Sequence, residues 1–167
     1  MENSFDGIWN ERDIMSASSA LVSILEESGA LERFFTDYGR KPRVTIGYFQ
    51  NDGEEGTVSE GDICSFVSDL AIDFKRNSDM EFYYGSPRSD TVYTFTSFQD
   101  GNDYATYVGA DLVFQGRIIT YLANGNFKRS GRKYRIEAEL VDVETQYAFW
   151  SGTDDETFKT IRRKSLK

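Results

Sequence analysis

Twenty-eight aspartates and glutamates, no histidine and one cysteine bound the chemistry open to this chain of 167 residues. Without histidine there is no Cys/His or Ser/His pair, and Cys64 alone forms no internal disulfide. Zinc sites built from cysteine and histidine are excluded by count. What remains is carboxylate chemistry. Glu137 and Glu139 stand two apart on an alternating run and so share one strand face, where a pair of acids could serve a hydrolase. Chance pairs are inevitable among 28 acids, and the alternation puts these two on the solvent side, where surface charge is the expected role. Asp52, Glu54 and Glu55 in the acidic stretch Gln50 to Val58 offer oxygen ligands, but the D-x-[DN]-x-[DN]-G spacing of a calcium loop is absent, so a solvated loop is expected. Cys64 lies beside an apolar helical stripe and is expected to be a buried structural thiol. We expect no catalytic, cofactor-binding or metal-ligating residue.

Docking is the other chemistry such a surface can do. Aromatic residues make up 15% of the chain, with 13 Phe and 10 Tyr, and most are expected to build the core. Tyr83, Tyr84, Tyr93, Phe95 and Phe98 cluster near polar breakers and are the candidate partner-binding rings, with core packing as their competing fate. The net charge of −9 and pI of about 4.6 repel phosphate backbones, so no nucleic-acid partner is expected. Basic residues gather only at Lys128 to Lys133, expected in a hairpin loop, and at Arg162 to Lys167, expected as solvated terminal charge. No apolar run approaches the roughly 18 residues of a membrane span. Met1 to Asp6 is polar, without the apolar core of a signal peptide.

The elements that must position these residues follow from period and punctuation. Asn10 with Asp13 three residues on is a helix start, and Ile14, Ala17, Leu21, Ile24 and Leu25 continue it to a stop at Gly29. Leu31, Phe34, Phe35 and Tyr38 repeat as the apolar face of a short second helix before Gly39. Pro42 leads into a strand, Val44 to Phe49. Ser59 with Asp62 caps a third helix, whose stripe is Ile63, Phe66, Val67, Leu70, Ala71 and Phe74. Met80 to Tyr84 reads as a short strand. Thr91 to Phe95 favours a strand by propensity, whereas Tyr104 to Val108, ended by Gly109, favours the last turns of a helix; over much of 91–107 we expect helix, interrupted near Gly101. From Asp111 two period-2 runs and a third strand carrying Trp150 form a meander, with a tight turn at Val143 to Gln146. Tyr134, Ile136, Ala138 and Leu140 take its buried face, and Lys133, Arg135, Glu137 and Glu139 its wet face. Helices mixed with strands and ending in a meander imply an α+β fold: a twisted, mixed and mainly antiparallel sheet of four to five strands flanked by three to four helices. One domain, 1–167, is expected, with tails at 1–9 and 159–167.

Four segments in this order carry a resemblance: G-I-W-N-x-x-D at Gly7 to Asp13, K-P-R-V-T-I-G at Lys41 to Gly47, V-G-A-D-L-V-F-Q-G at Val108 to Gly116, and the run from Tyr134 to Trp150. Together they resemble the LpoB-type lipoproteins, activators of bifunctional penicillin-binding proteins, with CsgG and TolB N-terminal domains as wider relatives. The resemblance implies a periplasmic globular domain on an outer-membrane lipoprotein. Its protein partner would be a bifunctional penicillin-binding protein, and it would regulate peptidoglycan synthesis by binding, without catalytic residues. Membrane association is then expected only through an N-terminal lipid anchor that this sequence does not carry, and the domain is expected to be monomeric. An envelope assembly module of CsgG or TolB type is the alternative, separable by oligomeric state. Thr145-Gln146 departs from the Thr-Gly that many relatives have in the last turn. Within the motifs we expect Trp9 to anchor the first helix, Gly109 to supply a left-handed helix end, Asp111 to hold the turn into the strand and Trp150 to pack on the sheet.

Overall fold

Two reciprocal capping boxes start the long helices. In α1 (Glu11–Glu27) the Asp13 N–H donates to Asn10 Oδ1 at 3.0 Å and the Asn10 N–H to Asp13 Oδ2 at 2.9 Å. In α3 (Glu60–Arg76) the Ser59 and Asp62 pair does the same at 3.0 and 2.8 Å. Each box satisfies two of the N–H groups that a helix start leaves open. Lys75 and Arg76 sit in the last turn of α3, at the negative end of its dipole. The structure, a computed structural model, describes residues 10–53, 58–83, 95–124, 129–155 and 158–162; Trp9 lies outside them.

Helix α2 (Ala30–Tyr38) runs between Gly29 and Gly39, which take φ of 78° and 73°. It corrects one expectation. Ala30, Leu31 and Phe34 are buried, but Phe35 is 52% and Tyr38 56% exposed. The helix is only nine residues long, and Tyr38, in its last turn, stacks on the Phe34 ring at 4.3 Å instead of entering the core.

Strands β1 (Arg43–Asn51), β2 (Glu81–Phe82), β3 (Leu112–Asn124), β4 (Arg129–Asp142) and β5 (Ala148–Asp154) form a sheet in the order β2-β1-β3-β4-β5. β1 is parallel to both β2 and β3, and the rest is antiparallel. A further strand, β6 (Phe158–Arg162), takes residues expected as a tail and pairs with β4. β4 thus carries β3 along one side and β5 followed by β6 along the other. The basic residues Arg129, Arg132 and Lys133 belong to β4 and not to a loop; Lys128 lies outside the described residues.

Helices α1 and α3 pack on one sheet face and α4 (Phe98–Val108) on the other. The first side holds the main core, where Phe114, fully buried, meets Phe49, Phe74 and Trp150 at ring distances of 5.7, 5.1 and 6.1 Å. Trp150 is there as expected. Tyr134, Ile136, Ala138 and Leu140 are buried, as their alternation requires. The opposite face is not simply wet: Ala105 and Ala110 close over Val113 and Val141 in a second, smaller core.

Helix α4 runs unbroken through Gly101, where an interruption was expected. A Cβ there would lie 3.1 Å from both Gly47 Cα and Tyr48 N of β1. Glycine lets helix and strand approach closely without displacing either backbone, and its propensity cost of about 1 kcal/mol is offset by that packing. Gly109 ends the helix at φ 77°. Cys64 is half-buried, not buried, because it flanks the α3 stripe instead of lying within it.

Asp111 joins three elements at the end of the sheet. It accepts both Arg40 guanidinium nitrogens at 2.7 and 2.8 Å and the Arg43 N–H at 2.8 Å, while its own backbone bonds Arg43 and Val143. Burial pushes its carboxyl up, but the Arg40 bond, the Arg43 N–H and the two positive charges prevail and hold it below the ordinary value. A carboxyl lowered in this way stabilises the fold in full above its unfolded pKa of about 4. That contribution is lost as pH falls through the lower, folded value. Asp111→Ala should cost about 1–2 kcal/mol at neutral pH, chiefly by stranding the Arg43 N–H. Urea melts should show the variant and parent converging as the pH is lowered below about 4.

Candidate partner-binding site

Helix α4 covers the β1–β3 side of its face and leaves the β4–β5 side open. There the wet rows of the meander stand side by side, because antiparallel register places opposite residues on one face. Arg117 on β3 is opposite Glu137 on β4, and Glu137 is opposite Thr153 on β5. Gln115 is opposite Glu139, which is opposite Ser151. A concavity of about 560 Å³ lies over them, lined among others by Gln50, Phe98 of α4, Arg117, Glu137, Glu139 and Thr153.

The charged groups of the floor are paired with one another, while Gln115 Oε1 is left without a hydrogen-bond partner. Arg117 Nη2 donates to Glu137 Oε1 at 2.6 Å, and its other terminal nitrogen lies 3.5 Å from Asp52. Arg135 reaches the second Glu137 oxygen at 3.4 Å, and Gln115 Nε2 donates to Glu139 Oε2 at 3.1 Å. The Arg117 bond above all, against some burial and helped by the Arg117 charge and by Arg135, lowers the Glu137 carboxyl below its ordinary value. A general acid needs the opposite shift. The Glu137 and Glu139 pair therefore suits a charged docking surface better than glycoside hydrolysis. Arg117→Ala should move the Glu137 titration up toward the ordinary glutamate value, read by carboxyl-carbon NMR; an unmoved Glu137 would show that Arg117 is not its main partner.

The rings singled out from sequence are divided by the fold. Phe98, half-buried, opens α4 at the rim of the concavity and meets Tyr48 edge-on at 4.9 Å. Phe95 is half-buried against Tyr104 at 5.5 Å. Tyr83 is half-buried just past β2, its N–H bonded to the Val44 carbonyl. Tyr84 and Tyr93 lie outside the described residues. Among the described residues the most exposed rings are others, Tyr107 at 85% and Tyr147 at 78%. The Arg117 row was also missed, although the paired positions of the hairpin are symmetric about position 127 and would have set Arg117 against Glu137. Among the described residues no group of His, Cys, Asp and Glu could hold a metal ion, and no helix is long and apolar enough to cross a membrane.

A family model for the peptidoglycan-synthase activator LpoB matches residues 13–155. Among solved structures the chain is similar to the LpoB C-terminal domain from Salmonella enterica, with 14% identity and a TM-score of 0.42 over 80% of this chain and 93% of that one. The LpoB C-terminal domain from Escherichia coli gives 15% identity and a TM-score of 0.44 over 77% and 96%. A lipoprotein from Neisseria meningitidis, GNA1162, gives 15% and 0.43 over 75% and 85%. Likeness at this level assigns no function, and no curated protein sequence matches the chain. The family match spans all four helices and the sheet from β1 to β5, apart from the first two residues of α1, and on that ground the chain belongs to the family of LpoB peptidoglycan-synthase activators.

Proposed function

We propose that this chain is a non-enzymatic regulator of peptidoglycan synthesis that binds a bifunctional penicillin-binding protein and raises its activity. The family match over residues 13–155 carries this reading. The protein works as a monomer in the periplasm, held at the outer membrane by a lipid anchor. The docking surface is the open sheet face beside α4, with the Arg117, Glu137 and Glu139 row as its polar floor. Phe98 and Phe95 form its aromatic rim and Tyr83 is a further contact; Tyr84 and Tyr93, outside the described residues, stay candidates from the sequence alone. A half-buried ring beside satisfied charges is the composition of an interface anchor with a polar surround.

Activation by docking requires a stronger hold on the active state of the synthase than on the resting one. A tenfold rate gain by that route needs about 1.4 kcal/mol of difference. The test combines purified synthases of the same organism with the chain in binding and glycan-polymerisation assays. Binding with a rate gain that saturates is expected, and Phe98→Ala with Arg117→Glu should weaken binding at least about tenfold. No binding, or an unchanged rate at saturation, removes the proposal. Light scattering should give the mass of one chain; a ring-sized assembly would favour the assembly-module alternative.

A further inference from the structure

Among the described residues the exposed aromatic side chains are Phe35, Tyr38, Tyr107 and Tyr147. All four stand on segments that flank one end of the sheet, where β1 and β3 begin and β4 ends. Phe35 and Tyr38 are in the last turn of α2, Tyr107 is in the last turn of α4, and Tyr147 is in the turn from β4 to β5. The three segments meet at Asp111, which follows α4, takes Arg40 just past α2 and accepts the Val143 N–H of the turn. A concavity of about 360 Å³ opens there, lined among others by Phe34, Tyr38, Arg40, Gly109, Asp142 and Glu144. It lies at the C-terminal end of α4. The concavity rimmed by Phe98 is at the other end, about 16 Å away along a helix of 11 residues.

The charges around this concavity are unevenly paired. Arg40 is taken up by Asp111 through two guanidinium nitrogens and lies over the Phe34 ring at 5.6 Å. Asp142 Oδ1 accepts the N–H groups of Glu144 and Thr145, both at 2.9 Å. Among the described residues no cation pairs with Asp142 or Glu144. Tyr38 stacks on Phe34 at 4.3 Å and still leaves more than half of its surface exposed. An open ring beside two carboxylates without a counter-ion is completed by a cation, which the ring quadrupole and the acids attract together. Arginine suits the place better than lysine, because a planar guanidinium stacks on a ring while it forks to a carboxylate. The chain already does this once at the same site, with Arg40 on Phe34 and Asp111. We infer that the concavity binds an arginine side chain presented by a basic segment of a partner protein. Its volume is at the low end for a ligand cleft and admits a side chain, not a folded element. The net charge of −9 draws such a segment in from a distance. The inference needs no synthase, so its failure and that of the activator reading are separate results.

The test is an amide NMR titration of the chain with a capped Gly-Arg-Gly peptide, and with the same peptide carrying lysine or citrulline, the uncharged isostere of arginine. Saturable shifts confined to Gly109, Ala110, Val143, Glu144 and their neighbours are expected, half-complete on the order of 1 mM. The lysine and citrulline peptides should each bind at least about threefold more weakly. Glu144→Lys, at an exposed side chain, should melt as the parent does and weaken the arginine peptide by at least about tenfold. Tyr38→Leu, which keeps an apolar contact on Phe34, should weaken it by about fivefold. Glu27→Lys makes the same charge change on α1 and should leave binding unaltered, which separates this site from the general pull of an acidic chain. No saturable shift at these residues, equal binding of the arginine peptide and either analogue, or equal losses in Glu27→Lys and Glu144→Lys would overturn the inference. So would self-association of the chain that Glu144→Lys abolishes, since a second copy would then be the occupant.

Discussion

Phe114→Ala should lower stability by about 3–5 kcal/mol, the largest effect expected of any single substitution in this chain. The ring is fully buried at the centre of the sheet and meets Phe49 and Phe74 from one side and Trp150 from the other. Its neighbours belong to β1, α3 and β5, so no single element can collapse into the space left behind. Domains of this kind hold only about 5–15 kcal/mol in total, so the variant should melt on the order of 10 °C lower. Phe114→Leu, which keeps most of the apolar volume, should lose less than half as much. A Phe114→Ala loss below about 1 kcal/mol in urea titration would mean that the packing at the centre of the sheet is not as described.

The second large effect is expected from Gly116→Ala. A Cβ at that position would lie 3.0 Å from Ala138 Cα and would overlap the Glu137 carbonyl oxygen. Both obstacles are backbone of the adjacent strand, which cannot swing aside as a side chain can. Relief requires β3 and β4 to part at the middle of their ladder, where Gly116 is opposite Ala138. A cost of about 3 kcal/mol is expected, at the upper end for overpacking. The same shift would disturb the Arg117 and Glu137 pair one residue away, so the variant should bind the synthase more weakly even where it remains folded. Gly152 makes an instructive comparison. Its Cβ would meet the Trp150 ring, 2.5 Å away, and a ring at the edge of a cluster can tilt. Gly152→Ala should therefore cost less than Gly116→Ala.

The last turn shows a local cost of a different kind. Gln146 takes φ of 68°, the one described residue other than glycine with a positive value. The resemblance marked this place, since many relatives carry glycine there. Gln146 Nε2 donates to the Val143 carbonyl at 2.7 Å, so the side chain closes the turn that its backbone strains.

How far the sequence could be read depended on how far apart the deciding residues were. The capping boxes at Asn10 and Ser59 involve residues three apart, and both formed. The alternation from Tyr134 to Leu140 turns on strand period alone, and its buried face followed. The missing histidines removed whole classes of chemistry by count. The four segments in order pointed to the family that the match over 13–155 then showed.

Tertiary structure decided what depends on residues distant in the chain. Propensity marks Gly101 as a break, but contact with Gly47, 54 positions away, makes it the residue that seats α4 on β1. Helical spacing marks Phe35 and Tyr38 as core, but α2 turns only Ala30, Leu31 and Phe34 inward and leaves those two rings more than half exposed. Glu137 and Glu139 look like idle surface charge until β3 is laid beside them and supplies Arg117 and Gln115. Period and capping are near-neighbour properties of a chain. Burial, close approach and charge pairing are properties of the surfaces that meet, and only the folded arrangement brings those together.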